Sequence, residues 1–477
     1  MKAFMDRDFL LTTETARRLF FDHAESCPII DYHNHLSAKD IFEGRRYENL
    51  TQVWLEADHY KWRCMRVCGV PEEYVTGSAD DYSKFAAFAR IMPKLIGSPV
   101  YHWAHLELQR YFGIDTPLNE ETAEEIWNKT CQMLQGEGFD AVSLLDKAQA
   151  KVLCTTDDPA DDLAWHKKLA EEYKAGRVSF QTLPSFRPDR FIHIDQTENW
   201  GRALAQLSER YDVAIDSWEG LTCALKKSMD FFCSVGCKVT DHGFLHFRYA
   251  EGDHEAVMEK ALEGLPLTEE EIAVYQGGLL RFLASEYEAR GLAMQLHLGP
   301  IRNNSPKVFR AFGPDGGGDS IGEATDPFLL SGLLNRLEAD GNLPKTILYN
   351  LNPNDSAMMA TMAVNFAAGT EADGSDCGKV QYGAAWWLLD HIRGISEQID
   401  QLMETGMLSG SVGMLTDSRS FTSFVRHEYY RRILCDKLGR LVESGQYPGD
   451  EYSLKLLGQM VEDISWKNAV KYFGFQL

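Results

Sequence analysis

A His-x-His pair, Asp31-Tyr32-His33-Asn34-His35, ends a short apolar run (28–33) that reads as a strand. Side chains alternate faces along a strand, so His33 and His35 point one way and Asn34 the other. Two imidazoles on one face can chelate a divalent cation through nitrogen. Near the other end of the chain, a second run (412–416) leads into Asp417-Ser418-Arg419. If these two runs are neighbours, Asp417 completes a His-His-Asp metal set with positions left for water or substrate. Other strand-like runs also end in chemically loaded residues: Arg187, Asp241-His242, and His297 followed by Arg302. Arg187, Arg302 and Arg419 come from three different strand ends, and guanidinium forks bind carboxylates bidentately. In a chain with 48 Lys plus Arg against 71 Asp plus Glu, their convergence reads as an anion site.

The elements that must position these groups follow from the chain's rhythm. Strand-like runs at 28–33, 150–155, 178–183, 237–240, 293–297, 346–350, 379–383 and 412–416 alternate with amphipathic helical stretches. Eight such repeats predict βα units and a parallel sheet closed into a TIM-like (β/α)₈ barrel of α/β class. In that barrel the strand ends share one mouth, and the first and eighth strands are adjacent. Surplus length falls after the first strand. The predicted organisation is 1–35, an N-terminal helix and first strand; 36–138, a large helical insertion; and 139–477, the rest of the barrel. Pro71, Pro93, Pro99 and Pro117 break the insertion into several helices.

Within the insertion, Asp58-His59-Tyr60-Lys61-Trp62-Arg63 could descend onto the mouth, although its spacing alone fits an aromatic helix packed on the barrel. Asp157-Asp158-Pro159 reads as a helix N-terminal cap or as metal ligands. Trp386-Trp387 could floor a sugar ring or fill a core. The run Gly313-Pro314-Asp315-Gly316-Gly317-Gly318 reads as a lid or a plain surface turn.

Composition narrows the function classes. A net charge of −23 disfavours nucleic acid and anionic membranes as partners. No apolar run is long enough for a membrane span, acids interrupt the N-terminal segment as an export signal, and ten cysteines without a C-x-x-C pair predict free thiols. The expected setting is the cytoplasm, with a homo-oligomer as the base-rate assembly.

Six stretches together carry a family likeness: Asp-Tyr-His-x-His at 31–35, Asp-His-Tyr-Lys-Trp-Arg at 58–63, Thr-Thr-Asp-Asp-Pro at 155–159, Arg-Pro-Asp at 187–189, Ile-Arg-Asn-Asn at 301–304, and Gly-Met-Leu-Thr-Asp-Ser-Arg-Ser-Phe at 413–421. Over nearly its whole length the chain resembles the uronate (glucuronate) isomerases of the amidohydrolase superfamily. The resemblance implies an amidohydrolase-type barrel with one divalent metal, zinc or manganese, on His33, His35 and Asp417. It places His59, Tyr60, Arg187, Asp241, His297, Arg302, Trp386 or Trp387, and Arg419 around a hexuronate. Asn34 stands where the family often has Cys, and Leu388-Leu389-Asp390 where it commonly shows Phe-Asn-Asp.

The implied reaction interconverts D-glucuronate with D-fructuronate, and D-galacturonate with D-tagaturonate, by C2-to-C1 proton transfer through a cis-enediol. Tyr60 is the expected shuttle, its phenol acidified by Arg419, with Asp417 the second choice and His33 assisting ring opening. Asp241 stands on the fourth strand, where many superfamily hydrolases have a lysine or glutamate that bridges two metals, and Asn350 on the sixth, where they use a histidine. This disfavours a dinuclear centre and lowers the hydrolase alternative, a mononuclear metal-dependent amidohydrolase acting on an acidic amide or lactone. A silent sugar-acid binding protein is the other alternative.

Overall fold

The computed structural model describes residues 3–366 and 378–477. Ten strands form among them: β1 (Ile29–Asp31), β2 (Ala150–Cys154), β3 (Gln181–Leu183), β4 (Ser185–Phe186), β5 (Val239–Phe244), β6 (Ala293–Leu298), β7 (Pro300–Ile301), β8 (Ser320–Ile321), β9 (Thr346–Asn350) and β10 (Val380–Tyr382). One parallel sheet runs β1-β2-β3 and a second β10-β9-β6-β5-β4. Only Pro184 separates β3 from β4, and a proline has no N–H to give to a ladder, so the two sheets are one band interrupted at that residue. Strands wrapped by helices on one side and packed into a barrel on the other must be apolar on both faces. Accordingly Val152, Leu153, Leu296, Ile347 and Leu348 are fully buried.

The eighth barrel position is filled by 412–418, which departs from the expected strand. Gly413 and Asp417 have φ of 75° and 49°, and left-handed residues cannot continue a regular ladder. The segment closes on β1 by other means. Asp417 N–H donates to the His33 carbonyl at 3.1 Å and His35 N–H to the Ser418 carbonyl at 2.9 Å. The buried Asp31 carboxylate accepts the Thr416 N–H and hydroxyl, both at 2.7 Å. Elsewhere the expected strands shift: the third begins at Gln181 rather than Val178, and the fourth runs on to Phe244. The antiparallel pair β7–β8, absent from the expected set, brackets the excursion that holds Gly313–Gly318.

Residues 36–138 form six α-helices, among them Asp81–Ile91, Pro99–Phe112 and His59–Val67. Asp58 starts the last of these by accepting from the N–H groups of Tyr60 and Lys61 at 2.9 and 3.3 Å, while the buried Lys61 ammonium holds its other oxygen at 2.6 Å. Every described cysteine is free, and no described helix is long and apolar enough to cross a membrane.

Candidate active site

The strand ends deliver the expected His-His-Asp set to one point. His35 Nε2 and His33 Nε2 lie 3.0 and 3.3 Å from Asp417 Oδ1. Four ligands at ~2.1 Å from a tetrahedral cation stand about 3.4 Å apart, so these spacings fit a divalent metal. A second set, His33, Asp241 and His297, shares His33. His297 Nδ1 donates to Asp241 Oδ1 at 2.7 Å, which leaves His297 Nε2 buried and unpartnered, as is His33 Nδ1. The Asp417 carboxylate is thus placed by a strained backbone at the seam, and the imidazoles by the irregular segment that follows β1, which ends at Asp31 and not at the expected His33. There the Asn34 and His35 N–H groups donate to the Cys154 and Ser418 carbonyls, both at 2.9 Å. The Asn34 side chain donates to Asp31 at 3.0 Å.

Charge sets the protonation of this cluster. Burial would raise the Asp417 pKa, but hydrogen bonds from His33 and His35 hold it well below the usual carboxylate range. Burial likewise opposes the ionised Asp241, and Arg187, His33 and His297 outweigh it, so its pKa is also far below normal. His35 is pushed down to about 4, first by burial and then by the charges of Arg419 and His33, so its imidazole is neutral near pH 7 and free to bind a cation. Burial lowers His33 too, yet Asp241 and Asp417 carry it above its ordinary value.

The arginines divide into two kinds. Arg187 is committed to the protein, with Nε on Asp189 at 2.8 Å and NH1 facing Asp241 Oδ2 at 3.0 Å. Gly243 makes this packing possible, because a Cβ there would stand 3.0 Å from Arg187 NH2. Arg302 lies over the Trp387 ring at 4.3 Å and, with Arg419, faces Asp315, at 3.4 and 3.0 Å. Trp386 packs on His297 at 4.5 Å and donates to the Asn350 carbonyl at 3.0 Å, while His297 stacks flat on Tyr349. Two adjoining cavities share His35, Arg187, Arg302 and Asp417 in their walls. The one of about 200 Å³ adds His33, His297 and Trp386, and the one of about 400 Å³ adds His59, Trp387 and Arg419.

Tyr60 departs from its expected setting. The cation over its ring is Arg426, at 4.8 Å, and not Arg419. Its hydroxyl is buried without a hydrogen-bond partner, and burial, then the Asp417 charge, drives its pKa well above 10 despite Arg426. His59 stacks on Tyr60 at 4.9 Å and meets Trp387 edge-on. Asp157 neither caps a helix nor joins the metal set. It accepts from the Thr155 hydroxyl at 2.8 Å and the Ser185 N–H at 3.2 Å.

Sequence reasoning missed Asp31, Asp189, Asp315 and Arg426. A left-handed aspartate in a Gly-Pro-Asp-Gly loop gives no periodic signal, and Arg426 lies at the start of a helix, Val425–Glu443, where periodicity does not show that it is buried. Asp31 could have been found, because an aspartate inside an apolar strand must have a partner.

An eightfold βα barrel with a His-x-His pair just beyond its first strand and an aspartate at its seam defines the amidohydrolase-type barrels. The match to a family model is more specific: the model described as glucuronate isomerase covers residues 1–473, and the chain belongs to that family. It is 47% identical to the uronate isomerase of Caldanaerobacter subterraneus subsp. tengcongensis, across 99% of this chain and all of that one. It is 45% identical to that of Endomicrobium trichonymphae, with both chains fully covered. The solved uronate isomerase of Thermotoga maritima superposes with a TM-score of 0.90 at 35% identity, covering 99% of this chain and 100% of that one. The glucuronate isomerase of Caulobacter crescentus, 23% identical with a TM-score of 0.89 over 100% of this chain and 98% of that one, shares the fold.

Proposed function

We propose that this protein is a cytoplasmic hexuronate isomerase that interconverts D-glucuronate with D-fructuronate, and D-galacturonate with D-tagaturonate. One juxtaposition carries the reading: His35 and Asp417 of the donor triangle border one cavity with the Arg302–Arg419 pair, and His33, the third donor, lines the adjoining cavity. A sugar acid that places its carboxylate between the two guanidiniums brings its other end toward the triangle. Zinc or manganese held by His33, His35 and Asp417 would supply Lewis-acid polarisation of a substrate oxygen.

The open-chain aldehyde loses the proton on C2 and gains one on C1, so one group on one face of the cis-enediol suffices. We assign that transfer to Asp417, which is ionised and lies at the mouth. Tyr60 keeps its proton, since burial and the Asp417 charge disfavour the phenolate, and serves as a hydroxyl donor to the enediol oxygens. Arg187 and His297 hold Asp241 between them, and Arg187, with Trp386, lines the path of the sugar hydroxyls. Incubation with D-glucuronate in D₂O, followed by NMR at C2, tests the assignment. Wild type exchanges the C2 hydrogen, Asp417→Asn does not, and Tyr60→Phe still does, at a lower rate. Loss of exchange in Tyr60→Phe, with retention in Asp417→Asn, returns the shuttle to the phenol.

A further inference from the structure

Arg302 and Arg419 are already bridged by a carboxylate of the chain itself. Asp315 Oδ1 lies 3.4 Å from Arg302 NH1 and Oδ2 lies 3.0 Å from Arg419 NH2. One oxygen to each guanidinium is how a ligand carboxylate is shared between two arginines. The Asp315 side chain is 46% exposed, so it can be displaced without opening a core. Its backbone suits a movable support. Gly313, Asp315 and Gly317 all have positive φ, between 60° and 82°, and the segment forms no regular element. Beyond it, the chain is tied to the insertion: Arg66 donates to the Gly316 carbonyl and Arg63 NH1 to the Asp319 carbonyl, the latter at 2.6 Å. Both arginines lie on the helix His59–Val67 that carries His59 and Tyr60.

We propose that Asp315 is the resident carboxylate of the substrate's anion subsite: it holds Arg302 and Arg419 together in the free enzyme, and an incoming hexuronate must displace it to dock. Asp315 is therefore a positioning residue that sets the apparent affinity for the acid. The proposal rests on the reading above, in which these two arginines receive the hexuronate carboxylate. Its sign separates it from a purely structural role. If Asp315 only braced the arginines, its loss would weaken binding, whereas loss of a competitor tightens it.

The probe is L-gulonate, which is D-glucuronate reduced at C1: it keeps the carboxylate and has no aldehyde to isomerise. Calorimetric titration of wild type and Asp315→Asn is expected to show about tenfold tighter binding in the variant, the factor for a subsite open about one tenth of the time. The gain disappears when Arg302→Met is added. Unchanged or weaker binding in Asp315→Asn, beside a wild type that isomerises D-glucuronate, overturns the proposal and leaves the functional reading intact. A wild type that neither binds L-gulonate nor isomerises D-glucuronate overturns the functional reading and this proposal with it.

Discussion

Asp157 offers a test in which the size of the effect follows from its surroundings. Its side chain is 12% exposed, and among the described residues its nearest basic partner is His166, whose Nε2 lies 3.7 Å away. Burial drives His166 down to about 4, so that imidazole is neutral above pH 5 and offers no charge. Two hydrogen bonds, from Thr155 and Ser185, do not repay the desolvation of a carboxylate, and burial raises the Asp157 pKa to about 7. The folded chain therefore holds a proton that the unfolded chain has released. The stabilisation is complete below pH ~3.8, the unfolded value, and is lost as pH rises through about 7. A shift of about three units corresponds to about 4 kcal/mol in all, of which about 2.5 kcal/mol falls between pH 5 and 8. Asp157→Asn removes the titration and keeps an acceptor for both donors. Urea unfolding of the two proteins at pH 5 and 8 should show the variant gaining about 2.5 kcal/mol relative to wild type over that interval. A difference that is flat with pH, or that favours wild type more at pH 8, refutes the argument that an uncompensated buried charge sits there. The residue matters to the site because its carbonyl accepts the Arg187 N–H at 3.0 Å.

Two further substitutions probe the seam. Asp417→Asn should weaken divalent-metal affinity by about a hundredfold or more, measured as metal retained after dialysis, because it removes the only anionic member of the triangle. Arg426→Met should cost about 1 kcal/mol more in urea unfolding at pH 8 than at pH 6, because Asp390, 3.7 Å away, 2% exposed and already raised to about 7 by burial, loses the cation that favours its ionised form and stays protonated to higher pH; adding Asp390→Asn should remove that pH dependence.

What was legible in the chain is what a periodic backbone fixes. The place of His33 and His35 just beyond the end of β1, with barrel topology, decides that Asp417 is their neighbour; the strand itself stops at Asp31 and not at His33, so the two imidazoles are oriented by contacts with 416–418 and not by alternation. The same logic brought Arg187, Asp241, His297 and Arg302 to one mouth. It failed where side chains reach across non-periodic backbone. Arg426 reaches Tyr60 and Trp103, at 4.8 and 3.9 Å, and donates to the Thr416 carbonyl, which removes it from solvent altogether. Arg419 was expected beside Tyr60 because it too lies at the seam, but Asp315 holds it. Asp157 looked like a cap because Asp-Asp-Pro usually is one, yet the next helix starts at Ala164, and a bridge to Phe186 draws Asp157 into the interior instead.

The seam explains why one misread strand does not damage the site. Regular pairing between 412–418 and β1 would require extended backbone throughout, and would turn Asp417 as an ordinary strand residue. The left-handed φ at Asp417, 49°, costs about 1–3 kcal/mol and persists only where the surroundings over-determine it. They do so here: its N–H is held by the His33 carbonyl, the next residue's carbonyl by the His35 N–H, and its carboxylate by both imidazoles. Asp31 repays Thr416 for the ladder partners it lacks. The contacts that close the barrel here are therefore also the contacts that aim the metal donors. A sequence that paired the eighth strand perfectly would close the same barrel and lose the site.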